Sequence, residues 1–294
     1  MKRLGIHSFV WTGGSTKEEL DEAIEKTHSL GYELIEFPRL DPKKFDLDWL
    51  AKRLGDAGLQ IVVTMGLPFN GDISSEDDDA VRFGEKILGE AVAVTRDLGG
   101  AKLGGILYSA HGKFLTMPTE KGRANSVGVM RTIAEKAKAA GVTINLEVVN
   151  RFESNLLNTT AQGLAYIRDA GSDNIYLHLD TFHMQIEEAD PAQAILTAGD
   201  KLGYFHFGES NRGFLGAGTI DFEPIFDALV AIDYQDDAAF ESFSSEVVDK
   251  DLSIVAGIWR NTWKDNVEVA RHAKAFIETR YAEARRKAAI ARTP

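Results

Sequence analysis

Four short apolar runs in the second half of the chain end in residues that bind cations or carry protons. Ile144-Asn145-Leu146-Glu147 ends in Glu147, His178-Leu179-Asp180 in Asp180, Tyr204-Phe205-His206 in His206, and Ala239-Phe240-Glu241 in Glu241. Side chains alternate along an extended strand, so Asn145 and Glu147 share one face, and His178 and Asp180 share another. Singly, each has an ordinary structural explanation. A carboxylate after a strand often caps a helix, and a histidine in an apolar run is often a hydrogen-bonded core residue. Together they are harder to explain away. Three carboxylates converging at one end of adjacent strands repel one another, and raise one another's pKa, unless a cation neutralises them. Three oxygen donors and one imidazole suit Mn2+, Mg2+ or Co2+ better than structural zinc, which prefers Cys and His. A divalent cation held this way is a Lewis acid, and the carboxylates beside it are proton carriers.

These runs belong to a longer series. Candidate strands fall at Leu4–Val10, Tyr32–Phe37, Leu59–Gly66, Lys102–Tyr108, Val142–Val148, Ile175–Asp180, Leu202–Gly208 and Ala238–Ser242. Amphipathic helical patterns lie between and after them, near 16–30, 44–57, 76–98, 119–140, 159–170, 189–200, 222–231 and 253–284. Gly31, Gly58, Gly99 and Gly141 stand where helices must stop before the next strand. Ser15 or Thr16 before Glu18 and Glu19, and Ser75 before Asp78, are the N-terminal signals. Strands alternating with helices mean a parallel sheet. Eight units with no glycine-rich phosphate loop after the first strand favour closure into an α/β (β/α)8 barrel. Gly216-Ala217-Gly218 lacks a third glycine and follows the seventh strand, so it is an ordinary turn. No linker divides the chain, which predicts one catalytic domain over 1–294, with residues from about 270 to 294 as a C-terminal helical extension. A barrel enzyme keeps its chemistry at the C-terminal ends of its strands, where the four residues above would sit.

Composition narrows the function. The chain has 294 residues and no cysteine, which excludes disulfides, thiolate metal sites and a cysteine nucleophile. Its formal net charge of -12 speaks against a nucleic-acid partner, since phosphate binding draws on clustered Lys and Arg. No run approaches the roughly 18 apolar residues of a membrane span, and the opening Met1-Lys2-Arg3 segment is too short in its apolar part for a secretory leader. The expectation is a cytoplasmic enzyme without a membrane or nucleic-acid partner, acting on a small molecule.

The segments Glu147-Val148-Val149-Asn150-Arg151-Phe152-Glu153, His178-Leu179-Asp180-Thr181-Phe182-His183-Met184, His206-Phe207-Gly208-Glu209-Ser210-Asn211-Arg212-Gly213 and Phe240-Glu241-Ser242-Phe243 resemble the signature segments of the ketose 3-epimerases. That group comprises the D-tagatose, D-allulose (D-psicose) and L-ribulose 3-epimerases, within the xylose-isomerase-like barrels. The resemblance covers nearly the whole chain, including Gly5 to Trp11 and Ile258-Trp259-Arg260-Asn261. It implies metal ligands at Glu147, Asp180, His206 and Glu241, and catalysis by Glu147 and Glu241. It also implies substrate contacts from Glu153, His183 and Arg212, one Mn2+ (or Co2+ or Mg2+) per subunit, and a homodimer or homotetramer. Two positions depart from the pattern: Asn211, where relatives often carry His, and His7, where some carry an aromatic residue.

Inverting C3 of a ketose requires removing the proton next to the C2 carbonyl. A glutamate alone is too weak a base for that carbon acid, so a divalent cation that stabilises the enediolate is expected. Inversion also needs a second acid on the opposite face, hence two glutamates. The same centre would serve an aldose–ketose isomerase of the hydroxypyruvate isomerase type, which returns the proton to the neighbouring carbon. An endonuclease-IV-like enzyme would need more histidines than seven and a basic face. A binding protein with a vestigial site would not need both glutamates. Trp11, Leu67, Phe69 and Tyr108 are candidates for contacting the far end of the sugar.

Overall fold

The structure, a computed structural model, describes residues 1–248 and 250–291. Eight parallel strands close in chain order: β1 (Leu4–His7), β2 (Leu34–Pro38), β3 (Gln60–Leu67), β4 (Lys102–Ala110), β5 (Thr143–Val148), β6 (Ile175–Asp180), β7 (Leu202–Phe207) and β8 (Asp237–Phe240). β8 pairs with β1, Leu4 lying beside Ala238, so the sheet has no free edge. The expected (β/α)8 barrel is therefore present.

The helices are α1 (Lys17–Ser29), α2 (Leu47–Asp56), α3 (Asp78–Asp97), α4 (Glu120–Ala139), α5 (Thr160–Ala170), α6 (Thr181–Glu187), α7 (Pro191–Ala198), α8 (Phe222–Ala231), α9 (Lys250–Val255) and α10 (Asn266–Ala291). Their ends follow local chemistry. Thr16 and Glu19 form a reciprocal capping box at α1. The glycines expected to end helices, Gly31, Gly58, Gly99 and Gly141, have φ of 72°, 67°, 76° and 73°. At α3 the cap is Asp77 rather than Ser75, whose hydroxyl accepts from the Asp77 N–H one step outside the helix.

Two elements differ from expectation. A short helix, α6, starts directly at the end of β6. Asp180 makes this possible, because its carboxylate accepts the Phe182 N–H and caps the turn. The single final helix expected over 253–284 is two helices. Gly257, at φ 67°, ends the first, and Asp265 accepts the Val267 and Glu268 N–H groups to start the second. The C-terminal helix thus begins at Asn266 rather than near 270, and the expected extension over 292–294 lies outside the described residues. Its basic end faces the chain's own acids: Lys287 pairs with Glu223 and Asp227 of α8, and Arg280 with Glu283. Among the described residues no helix is long and apolar enough to cross a membrane.

The barrel's lower interior is apolar around Leu34, Val62 and Ala239, beneath the ring of Tyr204. The interior also holds buried polar side chains, Glu36, Thr64, Asn145 and His178. Gly105 of β4 borders the mouth with φ 106°, and a Cβ there would overlap the Met65 carbonyl oxygen on β3. Replacing Gly105 with Ala should cost about 1–3 kcal/mol in backbone strain alone, lowering Tm by about 2–5 °C. Calorimetry checks this, and an unchanged Tm would show that the strand can relax around the methyl group.

Candidate active site

Glu147, Asp180, His206 and Glu241 do converge. One ligand atom from each lies within 4.8 Å of those from the other three. Strand register explains it: Asp180 sits beside His206 on adjacent strands, and Glu241 follows β8, with its N–H donating to the Phe207 carbonyl at 3.1 Å. Asp180 and His206 are buried, whereas the Glu147 side chain keeps 12% exposure toward the cavity.

The donor set fits a hard divalent cation. Three carboxylates and one neutral imidazole nitrogen match Mn2+, Mg2+ or Co2+. His206 Nδ1 is buried without a hydrogen-bond partner and lies 3.7 Å from Glu241 Oε1, so it faces the acids with nothing to satisfy it. Two other groupings are poorer. His7, near Glu36 and Glu241, accepts the Phe9 N–H at Nδ1, so its Nε2 carries a proton and is a donor. His178, near Glu147 and His206, lies one layer lower and belongs to a grouping with a single carboxylate.

Charge within the cluster is uneven. Arg212 Nη1 reaches both Asp180 Oδ2 and Glu241 Oε2 at 2.7 Å, with its guanidinium 3.9 Å from the Phe182 ring centre. Burial pushes Glu241 up, but Arg212 and His206 outweigh it and hold that carboxyl well below the usual range. Burial raises Glu147, and His183 only partly offsets it. Burial lowers His206, yet Glu36 and Glu241 more than reverse that.

The loop after β7 is built to deliver Arg212. Glu209, fully buried, accepts backbone N–H groups of Ser210, Gly216 and Ile220. The Gly216-Ala217-Gly218 turn therefore wraps a carboxylate of the chain itself, and no phosphate is needed to explain it. Arg212 has the left-handed φ of 56°, and its carbonyl accepts from the Ser242 and Thr262 hydroxyls.

His183 and Glu153 also border the cavity. The Asn150 N–H donates to His183 Nδ1 at 3.2 Å, which leaves the Nε2 proton facing Glu147 Oε1 at 3.5 Å. Glu153 accepts from Asn150 Nδ2 at 2.9 Å and lies 3.0 Å from His111 Nε2. Burial raises its carboxyl, but His183, His111 and Arg212 bring it down to about 2. Arg151, an obvious partner for Glu153 in sequence, pairs instead with Glu187 at 2.9 Å.

The cavity has a volume of about 230 Å³, with an acidic floor and an apolar rim that includes Phe9, Phe182, Phe243 and Ile258. The four residues expected to touch the far end of a sugar do not line it. Trp11 is buried and donates to Thr27, Tyr108 is buried and donates to the Glu147 carbonyl, and Leu67 is buried. Phe69 is 55% exposed, its ring tilted against that of Phe114 at 5.3 Å between centres. His7, Phe9, Met65 and His111 line the cavity instead. Glu36 also borders the cavity and was not among the expected residues. Its signal was present, a charged residue inside the apolar run Leu34-Ile35-Glu36-Phe37. His111, in a loop, carried no such signal.

Comparison with known proteins agrees with this geometry. The model of the xylose isomerase-like TIM barrel family matches residues 24–277. The chain is 57% identical to an L-ribulose 3-epimerase of Mesorhizobium japonicum, over 99% of this chain and 98% of the relative. A solved structure of an L-ribulose 3-epimerase superposes with TM-score 0.98 at 56% identity, covering 100% of this chain and 99% of that one. A D-allulose 3-epimerase from Methylomonas sp., crystallised with D-allulose, superposes with TM-score 0.93 at 42% identity, covering 95% and 97%.

Proposed function

Because the chain belongs to the ketose 3-epimerases of the xylose isomerase-like TIM barrel family, we propose that it inverts C3 of a free ketose by moving a proton between Glu147 and Glu241. The sugar is of the L-ribulose/L-xylulose, D-allulose/D-fructose or D-tagatose/D-sorbose type. Glu147, Asp180, His206 and Glu241 hold one divalent cation, Mn2+ first among the candidates. The observation that carries this reading is the meeting of the two glutamates in one four-residue cluster at the mouth of a cavity.

When bound, the cation supplies Lewis acidity, drawing charge from the C2 carbonyl and making the C3 proton removable. The chain's own groups do the rest. Arg212, 2.7 Å from Glu241 Oε2, keeps Glu241 ionised and ready to accept a proton. Glu147 donates from the other face, and the two exchange roles in the reverse direction. His183 offers its Nε2–H and Arg212 its guanidinium to oxygens at the C1–C2 end, while ionised Glu153 accepts from a hydroxyl. Phe9, Phe182 and Phe243 shield the reacting carbon from water.

Replacing Arg212 with Ala should raise KM about ten- to hundred-fold, the worth of a charge-assisted hydrogen bond, with a smaller change in kcat. Steady-state kinetics on the same ketose decide it, and an unchanged KM removes Arg212 from the substrate's contacts. The function itself is tested with free ketoses and Mn2+ in D2O, with and without chelator, followed by NMR. Epimerisation places deuterium at C3. Label at C1 or C2 would instead mean aldose–ketose isomerisation. The family resemblance also supports a single catalytic domain, a homodimer or homotetramer, and a cytoplasmic site of action, with light scattering the check on assembly.

A further inference from the structure

Interiors of eight-stranded barrels are ordinarily filled by branched apolar side chains. Here a carboxylate, Glu36 of β2, stands beneath the mouth with no exposed surface. Both of its oxygens are occupied. Oε1 accepts the Thr64 hydroxyl at 2.7 Å and lies 3.4 Å from His7 Nε2. Oε2 accepts the Tyr204 O–H at 2.6 Å and faces His206 Nε2 at 2.6 Å. Such convergence on a buried acid is what makes burial of its charge tolerable.

Tyr204 and His206 are two residues apart on β7, so their side chains share a face, and both meet the same carboxylate oxygen. Tyr204 and Thr64 fix where that oxygen sits. The oxygen in turn decides the state of the His206 ring, because a carboxylate at Nε2 requires the proton there. In the neutral ring, the form that ligates a metal, Nδ1 is then a bare lone pair, and it is the nitrogen that faces Glu241 without a hydrogen-bond partner.

We infer that Glu36 is a positioning residue that holds His206 in the tautomer and rotation needed to ligate the divalent ion. This rests on the ion centre proposed above. Glu36 is not itself a ligand, since its oxygens are spent on donors and His7 turns an N–H toward it. Its effect reaches the reaction only through His206.

The test is Glu36→Leu in the full-length protein. Leucine keeps much of the volume but offers no acceptor, so Nε2 loses the partner that holds its proton and the ring is free to carry the proton on Nδ1, which closes that lone pair to metal. Titration with Mn2+, reading the free ion by electron paramagnetic resonance, should show affinity about 10–100-fold weaker than wild type. Activity should be lost at low Mn2+ and largely recovered at saturating Mn2+. A variant that melts lower yet binds Mn2+ as tightly as wild type overturns the inference and leaves the ion centre standing. Wild-type protein that takes up no Mn2+ overturns both. Should the variant fail to fold, 15N-histidine NMR of the Mg2+-loaded wild type decides. A proton on His206 Nε2 with Nδ1 bare supports the assignment, and a proton on Nδ1 overturns it.

Discussion

With glutamine in place of Glu147 or of Glu241, epimerisation should fall by about 10²–10⁴-fold or more, the usual worth of a positioned general acid or base. Glutamine keeps an oxygen that can still approach a cation, but it cannot take the C3 proton. The two variants should fail differently. Each keeps one glutamate, and that glutamate still faces one epimer's C3–H. In D2O, each variant should therefore exchange the C3 proton of one epimer slowly, without forming the other, and the two variants should prefer opposite epimers. A single shared base predicts instead that one substitution removes all exchange while the other leaves turnover near normal. Mn2+ must be saturating in these assays, because removing one anionic ligand weakens the ion's hold.

Stripping the metal should have the other large effect. Glu147, Asp180 and Glu241 have ligand atoms within 4.8 Å of one another, and Arg212 pairs with only two of them. Chelation should abolish turnover, and Mn2+, Co2+ and Mg2+ should restore it to different extents. The same ion should stabilise the fold. At a hundred times its Kd, a ligand specific to the native state contributes about 2.7 kcal/mol, a rise in Tm of about 4 °C for a chain of this size. Full activity in excess chelator, with no metal found by elemental analysis, would remove the cation from the account.

Much of this molecule was legible in its sequence, and the exceptions have physical causes. Parallel strands buried on both faces read as apolar runs, so a charged residue at the end of a run stands out, as Glu147 and Asp180 do. Period-two alternation then implies that those residues share an interior face, and in the structure they meet. What each does there is what the variants above address. The short helix after β6 was not foreseen, because Asp180 serves both as the end of a strand and as a helix cap, and a capped turn of seven residues leaves little periodic trace. The break between α9 and α10 turns on Gly257, one glycine in a long helical pattern. The candidates for the far end of the sugar fall outside the cavity for another reason. Trp11 and Tyr108 lie at the right strand ends but point into the packing between sheet and helices, and register cannot be read to one residue where strands end in irregular turns.

A crystal grown with Mn2+ and a bound ketose decides whether the ion and the two glutamates surround the reacting carbon. One ion is expected at about 2.0–2.3 Å from an oxygen or nitrogen of each of Glu147, Asp180, His206 and Glu241, with the two glutamates on opposite faces of C3. An ion bound elsewhere, or both glutamates on one face of the sugar, would contradict it.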